Sequence, residues 1–97
     1  MFLKNNTKSK IVLDTKNFNI FKMLKGNRSV DIGRVARLKE AISKKRLLSP
    51  IIVNENMEII DGQHRFQAFK ELNVPVYYII EEGLSTEDAI MYNINTK

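Results

Sequence analysis

Five consecutive residues carry the densest chemistry in the sequence, since residues 61–65 read Asp-Gly-Gln-His-Arg. Four of these side chains form hydrogen bonds or carry charge, and a glycine lies among them. At the start of a helix, such a set combines oriented backbone N–H groups with an imidazole and a guanidinium, a combination that favours a phosphate group. We therefore predict that Gly62, Gln63, His64 and Arg65 bind the phosphates of a nucleotide or a related anion.

Asp61 is the member of this set that a phosphate should repel. A hard cation such as Mg²⁺ would reconcile the two, because it binds carboxylate and phosphate oxygens together. Asp61 is therefore a candidate metal ligand, and also a candidate catalytic base toward a hydroxyl group. The alternative is a plain corner in which Asp61 caps the helix, Gly62 makes the turn, and His64 and Arg65 are exposed surface residues.

The sequence around this set predicts a strand, a tight turn and a helix. Two isoleucines end an apolar run before the Asp-Gly pair, and apolar side chains then recur at helical spacings to about Leu72. Asn73 is suited to end that helix in a left-handed conformation. Residues 51–53 and 58–60 predict the two strands of a hairpin just upstream.

The remaining patterns predict an α/β fold, with a small mixed β-sheet and three helices. A helix over residues 31–45 is capped by Ser29 or Asp31, and the other helices cover residues 63–72 and 86–93. Further strands are predicted over residues 18–24 and 76–80, with a short one at residues 11–13. We divide the chain into a loosely ordered segment, residues 1–17, and one domain, residues 18–97.

A basic ridge runs along the first predicted helix, beside its apolar face. The ridge consists of Arg34, Arg37, Lys44 and Lys45. It predicts weak, salt-sensitive binding to the phosphates of DNA. The alternative is a solvated face, in which the long side chains cover the edge of the apolar stripe.

Composition narrows the class of protein. The chain has 97 residues, a net charge of +5, no cysteine and one histidine. It is long enough for one core, and the charge favours polyanionic partners. Disulfides, cysteine-based zinc sites and multi-histidine metal sites are excluded. We see neither a membrane-spanning apolar run nor a signal-peptide core, and therefore expect a cytoplasmic protein.

Three motifs resemble a known superfamily. Residues 47–53 (LLSPIIV), 60–68 (IDGQHRFQA) and 74–76 (VPV) resemble the N-terminal domain shared by ParB partition proteins and sulfiredoxin. The closest branch is the one from phages and mobile elements that carries a DGQHR box, and the resemblance covers residues 18–95. It implies a ParB/sulfiredoxin-like fold, with a nucleotide bound at residues 61–65.

The resemblance also implies two further nucleotide-contacting segments. Asn27 and Arg28 lie where the superfamily places a loop beside the box. Asn93 lies where ParB proteins have Glu-Asn-x-Gln-Arg, although Tyr92 and Thr96 depart from that pattern. We expect the cofactor to be a nucleoside triphosphate or diphosphate of unspecified base, with Mg²⁺ as a possible companion.

Departures from the superfamily limit the activity. Gln63 stands where sulfiredoxin has its nucleophilic cysteine, which excludes sulfiredoxin activity. Gln63 also replaces the Glu of the ParB box, whereas His64 and Arg65 match the phosphate-binding His-Arg of sulfiredoxin. Some members are free-serine kinases, but the Glu that they use upstream of the first helix is missing from residues 18–30.

Three functions remain open. The first is a nucleotide- or phosphate-binding ParB-like domain that acts with DNA. The second is a small enzyme of the same fold, such as a nucleotide-dependent kinase, an NTPase or a nuclease. The third is a non-catalytic accessory domain without a ligand.

Overall fold

The computed structural model describes residues 11–24, 30–45 and 50–95. Along these residues the chain forms five strands, three α-helices and a 3₁₀ turn. The strands are β1 (Leu13–Thr15), β2 (Lys22–Met23), β3 (Ile51–Val53), β4 (Glu58–Asp61) and β5 (Val76–Ile80). The helices are α1 (Ile32–Lys45), α2 (Gln63–Leu72) and α3 (Thr86–Asn95). The predicted α/β class is confirmed.

The five strands form one mixed sheet in the order β1-β5-β3-β4-β2. β1 pairs with β5 and β3 pairs with β4 in antiparallel fashion, whereas β3–β5 and β2–β4 are parallel pairs. The predicted hairpin is therefore the β3–β4 pair, and its register shifts between Ile52 and Val53. Because β4 has a neighbour on each side, the corner after it projects from the inside of the sheet.

Alternation along the strands divides the core between the two faces of the sheet. Ile51, Val53 and Ile59 belong to the larger buried cluster, which also contains residues of α1 and α2. Ile60 belongs to a smaller cluster with Ala89 of α3. Adjacent residues of a strand point to opposite faces, so α1 and α2 cover one face and α3 covers the other.

The helix boundaries follow the predictions closely. α2 covers the predicted residues 63–72 and ends at Asn73 in a left-handed conformation, with φ of 57°. α1 begins one residue later than predicted, and α3 extends two residues further. Among the described helices, none has the length and apolar character needed to cross a membrane.

The strand predicted over residues 18–24 is largely wrong. Residues 18–20 form a 3₁₀ turn, and the only strand residues in this segment are Lys22 and Met23. Side chains three apart lie on one side of such a turn. Phe18 and Phe21 consequently both reach Phe66 of α2, with ring centroids 6.5 and 5.2 Å apart. Packing of these two aromatic rings against α2 therefore determines the conformation of this segment, rather than the local alternation of apolar and polar residues.

Candidate functional site

Gly62 makes the corner between β4 and α2. Its backbone is left-handed, with φ of 101°, a conformation that suits glycine. A Cβ at this position would lie 2.7 Å from Ile51 Cγ2 and 2.9 Å from Arg65 Nη2. The glycine therefore allows the corner to pack tightly against the neighbouring strand β3 and against its own helix. The space that a Cβ would need is thus occupied by Ile51 and Arg65.

The start of α2 has no side-chain cap. Gly62 is the N-cap residue, which leaves Asp61 outside that role, and its carbonyl accepts the first helical hydrogen bond from Phe66 N at 2.8 Å. The first turn of this fully described helix contains no acidic residue. The N–H groups ahead of Phe66 have no intrahelical acceptor and carry the positive end of the helix dipole. The electrostatics of this turn therefore favour an anion.

Arg65 is folded back onto the corner. Its Nη2 donates to the Pro50 carbonyl at 3.1 Å and lies 3.7 Å from Asp61 Oδ2. Both charged side chains are mostly buried, with exposed fractions of 26% for Arg65 and 21% for Asp61. Arg65 Nε is buried without a hydrogen-bond partner. The guanidinium is thus held in place at one end and retains an unused donor.

Gln63 is the least expected member of the set. Polar residues at a helix start are usually solvated, yet Gln63 is only 5% exposed. Its Oε1 atom is buried and accepts no hydrogen bond. In the described part of the chain, Gln63 Oε1 and Arg65 Nε are the side-chain polar atoms left in this state. One acceptor and one donor are therefore unsatisfied within a single helical turn.

His64 connects this turn to the start of α1. Its Nε2 atom accepts a hydrogen bond from the Asp31 N–H at 3.0 Å. Burial and the nearby Arg34 charge lower the pKa of His64, whereas the Asp31 carboxylate raises it. The ring is therefore neutral near pH 7 and carries its proton on Nδ1. Only Nδ1 can donate to a ligand in this arrangement.

The remaining predicted contact residues fall wholly or partly outside the part of the chain that the structure describes. Asn27 and Arg28 lie outside the described residues, as does Ser29. The backbone of Asn93 lies in α3, but its side chain is outside the described part. Of the three predicted contact segments, the start of α2 is the one whose side-chain geometry the structure describes.

The described surroundings of Asp61 bear on its candidate role as a metal ligand. Within residues 11–24, 30–45 and 50–95, no group of three or more His, Cys, Asp or Glu side chains is arranged to hold a metal ion. Asp61 faces the Arg65 guanidinium instead. Mg²⁺ commonly keeps several waters and binds through one or two carboxylates together with ligand phosphates. Asp61 could therefore supply one ligand to an ion that arrives with a nucleotide.

The basic ridge of α1 is only partly available. Arg34 and Arg37 are exposed on the helix surface. Lys44 forms an i,i+4 ion pair with Glu40 at 3.3 Å, and the Lys45 side chain lies outside the described part. The described side chains of the ridge are thus two exposed arginines and one lysine that is partly neutralised by its neighbour.

Sequence reasoning missed two contacts that organise the site. The Asp31–His64 bond could not be predicted from local patterns because its partners lie 33 residues apart. The other is made by Asn54, which is 2% exposed and whose Oδ1 accepts hydrogen bonds from Asn56 N and Glu58 N, both at 3.0 Å. An asparagine in a predicted hairpin turn is a recognisable signal for such a bond. By fixing the β3–β4 hairpin, Asn54 sets the position of the strand that leads to Gly62.

Comparison with known proteins agrees with this architecture. A solved structure described as the C2221 form of a Pnob8-like ParB-N domain superposes with a TM-score of 0.67 at 17% sequence identity. The match covers 90% of this chain but only 38% of that one, so the present chain spans well under half of the longer protein. At this identity the likeness concerns the fold alone. No curated protein matches the sequence significantly.

The family profile of the ParB N-terminal domain matches residues 5–96, which is nearly the whole chain. The match includes the β3–β4 hairpin, the corner at Gly62 and all three described helices. By sequence as well as by fold, the chain belongs to the ParB N-terminal domain family.

Proposed function

We propose that this chain is a DNA-associated ParB-type domain that binds a nucleotide, or another phosphate-bearing ligand, at the start of α2. The DNA association follows from the partition proteins that give the family its name. We further propose that the chain represents the DGQHR-bearing type found in phages and mobile elements. One observation carries the ligand proposal, namely that Gln63 Oε1 and Arg65 Nε are both buried without partners at an uncapped helix start.

The energetic cost of these two atoms supports a missing partner. A buried polar group without a hydrogen bond costs about 1–3 kcal/mol, and folded proteins contain few of them. Two in one turn point to a ligand or an ordered water molecule that satisfies them. A plain corner, which was the alternative to a binding site, would not need to bury a glutamine and an arginine in this way.

The two atoms also constrain the chemistry of the ligand. Arg65 Nε requires an acceptor, and an anionic phosphate oxygen is a strong one. Gln63 Oε1 requires a donor, which a fully ionised phosphate lacks. A nucleotide offers both, because its hydroxyl and amino groups donate while its phosphate oxygens accept. A water molecule bound beside the phosphate would serve Gln63 equally well.

Arg65→Ala tests the site directly. We expect the affinity for the nucleotide that binds best to fall about ten- to a hundredfold, because charge-assisted hydrogen bonds of about 1.5–3 kcal/mol are lost. Lys70→Ala is the matched control, since it removes one positive charge from the exposed far end of the same helix. Calorimetric titration of ATP, CTP, GTP, ADP and inorganic phosphate, with and without Mg²⁺, provides the measurement.

Folding of the variant must be checked in the same experiment, because Arg65 also bonds the Pro50 carbonyl. Arg65→Lys retains the charge and should lose less affinity than Arg65→Ala. If cooperatively folded Arg65→Ala binds every tested anion as tightly as the parent chain, the site is wrongly assigned.

Asp61→Asn distinguishes the roles of that carboxylate. If Asp61 only repels phosphate, the variant binds nucleotide more tightly in the presence of a chelator. If Asp61 helps to hold Mg²⁺, the variant loses the Mg²⁺ dependence of binding. Release of inorganic phosphate from bound nucleotide, abolished by Asp61→Asn, would favour the enzyme over the binding domain.

A further inference from the structure

α1 and α2 are connected by polar contacts at both ends of the groove between them. At one end, the Asp31 N–H donates to His64 Nε2 at 3.0 Å. At the other end, Lys39 Nζ pairs with Glu71 Oε1, also at 3.0 Å. Between these contacts lies a cavity of about 360 Å³, lined on the α1 side by Val30, Ile32, Val35 and Ala36. The Lys39–Glu71 pair lines this cavity, and the two helices also meet in the buried core, where Val35 and Phe66 belong to one cluster.

The bond at the α1 start requires one protonation state of His64. An imidazole nitrogen accepts a hydrogen bond only when it carries no proton, so the imidazolium ion cannot accept from the Asp31 amide. The Asp31 carboxylate is itself engaged, because Oδ1 caps α1 by accepting from Gly33 N at 2.9 Å and Arg34 N at 3.3 Å. Protonation of His64 would therefore leave two donors facing each other at this end.

The charged groups around His64 come from several elements. From α1, the Arg34 charge disfavours the imidazolium ion and the Asp31 carboxylate favours it. At the corner before α2, Asp61 is paired with Arg65. The adjacent strand β3 contains no titratable residue in its range, and the titratable residues of β5 are its two tyrosines.

We propose that His64 is an acid-sensitive positioning residue that, when neutral, holds the first turn of α1 against the first turn of α2. Protonation of the ring releases the α1 start, while the Lys39–Glu71 pair keeps the far end of the groove closed. This role goes beyond ligand binding and requires no ligand. In this role His64 Nε2 is used by the contact with the Asp31 N–H, so only Nδ1 can donate to an anion.

The direction of the pH effect follows from the pKa. In the folded chain the pKa of His64 lies below its ordinary value of 6.5. As pH falls, the unfolded chain takes up this proton first, so unfolding becomes progressively easier. The contribution of the bond to stability is therefore complete above about pH 6.5 and is lost as pH falls through the folded pKa.

NMR spectroscopy of the free chain between pH 8 and pH 5 tests the proposal. The ¹⁵N shifts of the His64 ring should show Nδ1 protonated and Nε2 unprotonated at pH 8. The Asp31 amide should shift with the same midpoint as the ring, below 6.5. Its hydrogen exchange, corrected for the intrinsic pH dependence, should become about tenfold faster after protonation, as expected for one lost hydrogen bond.

Two variants separate positioning from a general effect of acid. His64→Gln keeps an acceptor that does not titrate, so the Asp31 amide should remain protected and its acid-dependent shift should disappear. Glu71→Gln breaks the ion pair at the other end of the groove and should leave the pH response of Asp31 unchanged. Should His64→Gln not fold, the titration of the parent chain alone decides the matter. An Asp31 amide insensitive to His64 titration, or a ring protonated on Nε2 at pH 8, would overturn the proposal.

Discussion

The starts of α2 and α3 are built in opposite ways, although each follows a left-handed glycine. α3 begins after Gly83 and is closed by its own side chains, because Asp88 Oδ2 accepts from Ser85 N at 2.8 Å and from Ser85 Oγ at 3.1 Å. Its first turn also contains two acidic residues, Glu87 and Asp88. α2 begins directly after Gly62, with no side-chain cap and no acidic residue in its first turn.

The chain therefore caps the start of α3 with its own side chains, whereas it leaves the start of α2 without a side-chain cap. Acidic side chains near a helix N-terminus satisfy its N–H groups and offset the dipole. At α3 the chain supplies these groups itself. At α2 it supplies instead a buried glutamine and a partly buried arginine, each with an unsatisfied atom. The comparison supports an anionic partner for the α2 start.

The largest expected effect concerns the two glycines. Gly62→Ala should destabilise the chain by about 3 kcal/mol, because the alanine combines left-handed strain with overpacking against Ile51. Gly83→Ala is the matched control, since its φ is 89° but no atom lies within 4 Å of the added Cβ. It should cost only about 1 kcal/mol, from strain alone. Urea unfolding measures both, and equal losses would show that packing at Gly62 is unimportant.

Gln63→Met should improve stability while impairing binding. Methionine has a similar volume and no buried acceptor, so the free chain should gain about 1–2 kcal/mol in its free energy of unfolding. The same change removes the proposed ligand contact and should weaken nucleotide binding. Unfolding in urea and calorimetric titration measure the two effects. A Gln63→Met chain that is both less stable and unchanged in binding would mean that Gln63 serves only the fold.

Removal of the α3 cap should lower the stability of the chain without changing its affinity for nucleotide. Asp88→Ala should cost about 1 kcal/mol in stability, because a helix cap is lost, and leave nucleotide affinity unchanged. Glu87→Ala, in the same turn, removes a charge but leaves the bonds between Ser85 and Asp88 in place, and should cost only about 0.3–0.5 kcal/mol. Urea unfolding compares the two variants. If Asp88→Ala weakens nucleotide binding, the two helix starts are not functionally distinct.

The smallest expected effect concerns DNA and the exposed arginines of α1. Arg34→Gln combined with Arg37→Gln should lower the log–log salt slope of binding to duplex DNA by about 1.8, if each arginine neutralises one phosphate. Lys16→Gln combined with Lys22→Gln loses the same charge from exposed positions outside α1. Fluorescence anisotropy between 20 and 200 mM salt, roughly the range over which such contacts weaken, compares the variants. Equal salt slopes for the two double variants would show that net charge, and not the position of the arginines on α1, determines the salt dependence of DNA binding.

Local patterns were sufficient to predict most of the elements. The bounds of α2, the β3–β4 hairpin and β5 depend on periodicity and on residues such as Asn73 that act within a few positions of themselves. The same local information predicted that residues 61–65 would occupy a strand–turn–helix corner. The strand expected at residues 18–24 failed because a distant ring, Phe66, decided the conformation there.

What each side chain of the corner does was decided only by tertiary structure. The Pro50 carbonyl that holds Arg65 lies 15 residues away in the sequence, and the Asp31 amide that holds His64 lies 33 residues away. Burial of Gln63 likewise depends on packing that no spacing within the motif encodes. The sequence by itself determined that a helix would begin beside a set of residues whose chemistry suits a phosphate. Only the fold determined which hydrogen-bonding atoms remain unused, because long-range packing assigns the partners of all the others.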